Sequence, residues 1–290
     1  RVTGADYLPE AKRDYYLGMV YGLRAFYYFD LYRVYGGVPL RLGVEVIDGE
    51  LDPTKLYLPR AKASEVMTQI KDDLKKSLEY FGSVNDFNPY ALGKKAYWNK
   101  AATEALAADV YLWNSKVSIG DNAANTADLT VAKTHLLNLV NNYGLKLESD
   151  FARVHDATNK ANDEIIFAVR FLEGEATNDV NHYIYNIGTG STNNNAFLED
   201  GSPFSDPLKV AGASSVQRYE YTKEFFDIFD KKDLRRNATF LPAYNKDEDG
   251  NLVYRGNSVK KNIGYINSNG LRTWVGDFVI YRLPWVYLSL

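Results

Sequence analysis

Cysteine is absent from the 290 residues, which excludes disulfides and thiolate metal sites but says nothing about compartment. Histidine is scarce: His135, His155 and His182 lie far apart, and none stands at a metal-ligand spacing. No run of eighteen apolar residues exists, so no single segment is long enough to cross a bilayer as a helix. Basic charge is not in surplus either. With 34 Lys and Arg against 37 Asp and Glu, the chain lacks the footprint of a nucleic-acid binder. Catalytic motifs are missing. Gly188-Thr189-Gly190-Ser191-Thr192-Asn193 begins like a dinucleotide loop but ends on Asn, and no G-x-S-x-G elbow occurs. Asp247-Glu248-Asp249-Gly250-Asn251 lacks the glycine and glutamate of a calcium loop, holding Leu252 and Ser258 there, so it reads as a hairpin turn.

Tyrosine is what the chain has in excess: 23, against 14 Phe and 4 Trp. A tyrosine ring combines a flat apolar face with a polar tip, which suits both helix stacking and wet sites for polar ligands. The region from Glu10 to Tyr35 predicts a helix of roughly 39 Å, stopped by Gly36-Gly37 and released by Pro39. Tyr21, Ala25, Tyr28, Tyr32 and Tyr35 form one stripe, and Leu23, Phe26, Tyr27 and Val34 fill much of the rest. Such a helix is expected to be covered on two sides. Further helices are predicted near Ser64 to Phe81, near Lys95 to Lys116 with many alanines, and from about Thr130 to Tyr143. Leu23-x-Ala25-x-x-Tyr28 reappears as Leu106-x-Ala108-x-x-Tyr111, a small-then-aromatic spacing typical of tetratricopeptide hairpins. Two such hairpins do not bury their own faces, which implies that the chain is a fragment.

After Tyr143 the texture changes. Glu164 to Phe171 is a short β-type run, and Gly174 to Ser215 is polar and without helical period. A helix is expected at Thr222 to Phe229 with Thr222 as N-cap, followed by a hairpin turning at Asp249-Gly250. The fold expected is mainly α: a tetratricopeptide-like helical-repeat platform over residues 1–144, and an irregular layer with short strands over 145–290, together one domain.

Several segments carry a family resemblance. Leu23-Arg24-Ala25-Phe26-Tyr27-Tyr28-Phe29-Asp30-Leu31-Tyr32-Arg33-Val34-Tyr35-Gly36-Gly37-Val38-Pro39-Leu40 resembles the signature helix of the SusD/RagB family of Bacteroidetes outer-membrane lipoproteins. Ile70-Lys71-Asp72-Asp73-Leu74, the run Asn99 to Trp113, Asn162-Asp163-Glu164-Ile165-Ile166-Phe167 and Asp277-Phe278-Val279-Ile280-Tyr281-Arg282 resemble later landmarks in the same order. The resemblance implies an α-α superhelix of SusD type and non-catalytic capture of a polysaccharide or oligosaccharide. It also implies delivery to a SusC-type TonB-dependent transporter, a surface-exposed place on the outer membrane, and no cofactor or metal. Membrane attachment would come through a lipid anchor upstream of Arg1, and further helices would follow Leu288. A peptide-binding member of the family and a helical-repeat scaffold that binds only proteins remain open.

Sugars are held by aromatic faces flanked by amides and carboxylates. On that composition Tyr183, Tyr185, Asn193, Asn194, Phe204, Tyr265 and Trp274 are candidate ligand contacts, although packing is the commoner role for each. The acidic pairs Glu173/Glu175 and Glu199/Asp200 are read as solvated loop residues, since sequence neighbours seldom straddle a sugar as a glycosidase pair must. Trp98 and Trp113 are assigned to helix packing, Arg235-Arg236 to architecture, and Asp277 and Arg282 to an ion pair or turn.

Overall fold

The computed structural model describes residues 4–43, 54, 57–87, 89–90, 94–186, 195–213 and 215–290. Its contacts divide the chain into two compact units: Arg1–Leu145 with Tyr281–Leu290, and Lys146–Ile280.

The first unit is built on four helices, α1 (Glu10–Tyr35), α2 (Ala63–Phe81), α3 (Lys100–Lys116) and α4 (Asp128–Asn142). α1 stops where the sequence predicts, because Gly36 turns into the left-handed region at φ 68° and its N–H still reaches the Tyr32 carbonyl. α3 begins later than the alanine pattern suggests. Asn99 accepts a hydrogen bond from the Ala102 N–H at 2.9 Å and caps the helix there, while Lys94–Ala96 forms a separate 3₁₀ turn. α1 packs on α2 and α3, and α3 packs on α4. Gly18 and Gly22 let α2 approach α1 closely. A Cβ on Gly22 would lie 2.0 Å from Trp98 Nε1 and 2.9 Å from Ser77 Oγ. The alanine face of α3 does the same service for its neighbours, with Ala101, Ala102, Ala105, Ala107 and Ala108 all buried.

Several polar groups buried between these helices are paired, while the Trp113 Nε1 has no partner among the described residues. Arg24 donates to Asp73 from Nε at 2.7 Å and Nη2 at 2.6 Å, a two-pronged bond onto a carboxylate wholly removed from water. Trp98 donates to Thr103 Oγ1 at 2.8 Å, and Ser77 donates to the Gly18 carbonyl at 2.6 Å. One expectation fails. α1 is covered on one side only among the described residues, leaving Tyr27 63 % and Val34 71 % exposed on the face opposite Ala25, Phe29 and Tyr32. The unit closes with α8 (Leu283–Ser289), which packs on α4.

The second unit contains three short helices, α5 (Phe151–Val154), α6 (Lys223–Asp227) and α7 (Leu234–Thr239), and strands β1 (Ile165–Val169), β2 (Phe240–Lys246) and β3 (Leu252–Val259). β4 (Phe278–Arg282) pairs with β1 and leads the chain into α8. β2 and β3 form the antiparallel hairpin that Asp249-Gly250 predicts, in register from Phe240↔Val259 to Lys246↔Leu252 with an irregularity at Ala243/Tyr244. The core of this unit gathers Ile184, Tyr185, Ala196, Phe204, Leu208, Val210, Ala243 and Trp274. It forms in a segment without regular structure because side chains take over the backbone's hydrogen bonding. Asp206, itself in the left-handed region at φ 48°, accepts from the N–H groups of Val210 and Ala211, both at 2.9 Å.

Candidate functional site

The second unit holds a cavity of about 700 Å³. Three loops are tied together beside it by one amide. Asn178 caps the 3₁₀ turn Asp179–Tyr183 by accepting from the Val180 N–H at 3.1 Å. Its Nδ2 donates to the carbonyls of Asn262 at 2.9 Å and Gly276 at 2.7 Å. This fixes Tyr183 on one wall of the cavity.

The neighbouring wall grows from α6. Thr222 caps that helix by accepting from the Phe225 N–H at 3.3 Å, as its sequence position suggests. Helical spacing then separates two aromatic neighbours. Phe226 turns inward, stacks on Tyr254 with ring centroids 5.7 Å apart, and is buried. Phe225 turns outward, 41 % exposed, and lines the cavity with Tyr221 and Phe229. Tyr183, Tyr221 and Phe225 form a stacked series with centroids 6.0 and 5.1 Å apart. Phe240, at the start of β2, meets Phe229 and Phe225 edge to face at 5.5 and 6.1 Å. Phe151, Phe171 and Phe278 complete the aromatic lining.

Charge at the cavity is mixed. Arg235 sits over the Phe229 ring at 5.7 Å and spends Nε and Nη2 on Asp233, which caps α7. Lys261 lies 5.7 Å over Phe151. Asp179 is the one carboxylate among the lining residues. Tyrosine hydroxyls elsewhere in this unit are claimed by the protein: Tyr185 donates to Asp206 at 2.6 Å, Tyr265 to Glu173 at 3.0 Å, and Tyr254 accepts from Asn257 at 2.6 Å. Hydrogen bonding raises the Tyr265 pKa, and burial raises that of Tyr185, where the Asp206 contact adds to it. The hydroxyls of Tyr183, Tyr221 and Thr239 and the carboxylate of Asp179 have no such partner among the described residues. The buried Asn262 Oδ1 has none either.

The residues singled out in the sequence scatter. Tyr183 lines the cavity. Tyr185, Phe204 and Trp274 are buried and do not line the cavity. They are core, with Tyr185 1 % exposed and packed edge-on against Phe204 at 4.8 Å. Tyr265 lies near the surface, where it and Asn267 hold Glu173. Asn193 and Asn194 lie outside the described residues, as does the Gly188–Asn193 loop. Glu199 is engaged by both Nη1 and Nη2 of buried Arg236, and Asp277 pairs with Lys160 at 2.7 Å. Sequence reasoning passed over Tyr221, Phe225, Phe229 and Phe240. The signal for the first three is the density of rings from Tyr219 to Phe229, which the sequence reading takes as one short helix.

No family model matches the chain. A SusD superfamily protein of Bacteroides fragilis superposes on it with a TM-score of 0.92 at 55 % sequence identity, over 100 % of this chain and 57 % of that one. The chain belongs to the SusD superfamily. It is also 32 % identical over 127 residues to SusD-like protein P38 of Formosa agariphila, a match covering 44 % of this chain and 22 % of the relative. It thus spans little more than half the length of the first structure and about a fifth of P38. The SusD fold is shared at lower identity by a chain solved with xylogluco-oligosaccharide (20 %, TM-score 0.68, 99 % of this chain and 55 % of that one). A laminarin-binding SusD-like protein shares it too (18 %, TM-score 0.65, 100 % and 61 %).

Proposed function

We propose that this SusD-superfamily chain captures a polysaccharide or oligosaccharide in the cavity of its second unit, without chemistry on the ligand. The observation that carries this reading is the cavity's lining: eight aromatic side chains beside hydroxyl and carboxylate groups that are unpaired among the described residues. Rings supply apolar faces for sugar C–H bonds, and the unpaired groups exchange hydrogen bonds with sugar hydroxyls. A single lining carboxylate, Asp179, does not supply the two flanking carboxyls of glycoside hydrolysis. Fold relatives solved with xylogluco-oligosaccharide or described as laminarin-binding point the same way.

Within this reading the protein acts on the cell surface, held at the outer membrane by a lipid anchor, and passes its glycan to a SusC-type TonB-dependent transporter. No described helix is long and apolar enough to cross a membrane. Affinity electrophoresis against a polysaccharide panel that includes xyloglucan and laminarin, with a peptide pool alongside, tests the capture step. Retardation by at least one glycan, weakened about tenfold (~1.4 kcal/mol) in Tyr221→Ala or Phe225→Ala, is expected. Retention of peptides alone would transfer the cavity to the peptide-binding reading.

A further inference from the structure

We propose that the cavity takes a saccharide carrying an apolar substituent, an acyl or aryl ester, and that the substituent is what its phenylalanines receive. This rests on the glycan-capture reading and narrows its ligand class.

Six of the eight lining rings are phenylalanines, which offer no hydrogen-bonding atom. Phe225, Phe229 and Phe240 are locked against one another edge to face at 5.5 to 6.1 Å, so this hydrocarbon surface is fixed in place. Several of the polar groups nearby are already spent. The Asn178 amide holds two loop carbonyls, and the Nε and Nη2 of Arg235 hold Asp233. What remains among the described residues is a small set: the hydroxyls of Tyr183, Tyr221 and Thr239, the Asp179 carboxylate, Oδ1 of Asn262, and Nη1 of Arg235.

An unsubstituted sugar carries hydroxyls around most of its ring. Seated in this cavity, those facing Phe240 or Phe278 would lose water and gain no partner. The free polar groups are enough to read one sugar ring. They are too few to satisfy sugars throughout about 700 Å³, a volume in the range of sites for drug-sized ligands. An ester-linked acyl or aryl group resolves the mismatch. Its body is apolar, and its carbonyl is an acceptor for a donor such as Arg235 Nη1.

Isothermal titration with matched polysaccharide pairs tests this: feruloylated arabinoxylan and acetylated xyloglucan, each against its saponified form, with methyl ferulate alone as a third probe. The expected result is binding at least tenfold tighter for the ester-bearing member of a pair. That preference should fall towards one in Phe278→Ala, a residue 58 % exposed, and in Phe229→Leu, which keeps most of the packing. Both variants are checked by thermal melting. Equal affinity for esterified and saponified forms would overturn the inference and leave glycan capture standing. Methyl ferulate binding as tightly as the esterified polymer, or no binding to any pair, would overturn both.

Discussion

Arg236 shows how a side chain on a short helix, α7, becomes structural. It is buried, lies 4.4 Å over the Phe226 ring, and donates to both oxygens of Glu199 at 2.8 and 2.9 Å. The Arg236 hydrogen bonds hold the Glu199 carboxyl below its ordinary value of 4.5. A carboxyl depressed in the folded state contributes stability above its unfolded pKa, and that contribution is lost as pH falls through the folded one. Thermal melts should therefore show a stability loss below about pH 4.5 that is reduced in Arg236→Ala. The pair's part is on the order of 1 kcal/mol, since Glu199 keeps a third of its side chain in water. Asp206 adds to the same acid loss: burial raises its pKa, but bonds from Tyr185, Val210 and Ala211 outweigh that and lower it. Tyr185 and Tyr221 also separate at this scale. Tyr185→Ala empties a core position and should lower the melting temperature along with any binding. Tyr221→Ala should weaken binding while far-ultraviolet circular dichroism and the melt stay near wild type.

Among the elements, helix ends and close approaches were the points where local chemistry overrode periodicity. The alanine-rich pattern of α3 extends back to Lys95, yet the helix starts at Lys100 because the Asn99 side chain takes the Ala102 N–H. Asn99→Ala should cost about 1 kcal/mol as a lost cap, read as a lower midpoint in urea unfolding. Gly22 is the reverse case, a residue of poor helix propensity inside α1. Propensity alone favours alanine there, but the packing forbids it, since a methyl would meet the Trp98 indole at 2.0 Å. Gly22→Ala is expected to destabilise the first unit by about 2 kcal/mol, measurable in the same titration. A neutral or stabilising result would show that Trp98 can move aside.

For the molecule as a whole, capture without catalysis predicts that a retained polysaccharide releases no new reducing ends during prolonged incubation. Any turnover, abolished in Asp179→Asn, would assign that carboxylate to chemistry. The sequence by itself determined α1 and α2 nearly to the residue, the Thr222 cap and the β2–β3 hairpin. Each is written in local periodicity, a capping side chain or a turn dipeptide. The same text could not say which rings would be core. Tyr183 and Tyr185 stand two residues apart in one polar stretch, but one lines a cavity and the other is sealed beside Phe204 and Trp274. Adjacent Phe225 and Phe226 part in the same way. Tertiary structure decided this, because a ring's role depends on what covers it. In a segment without helical or strand period, the covering groups arrive from distant parts of the chain through bonds such as those of Asn178 to Asn262 and Gly276.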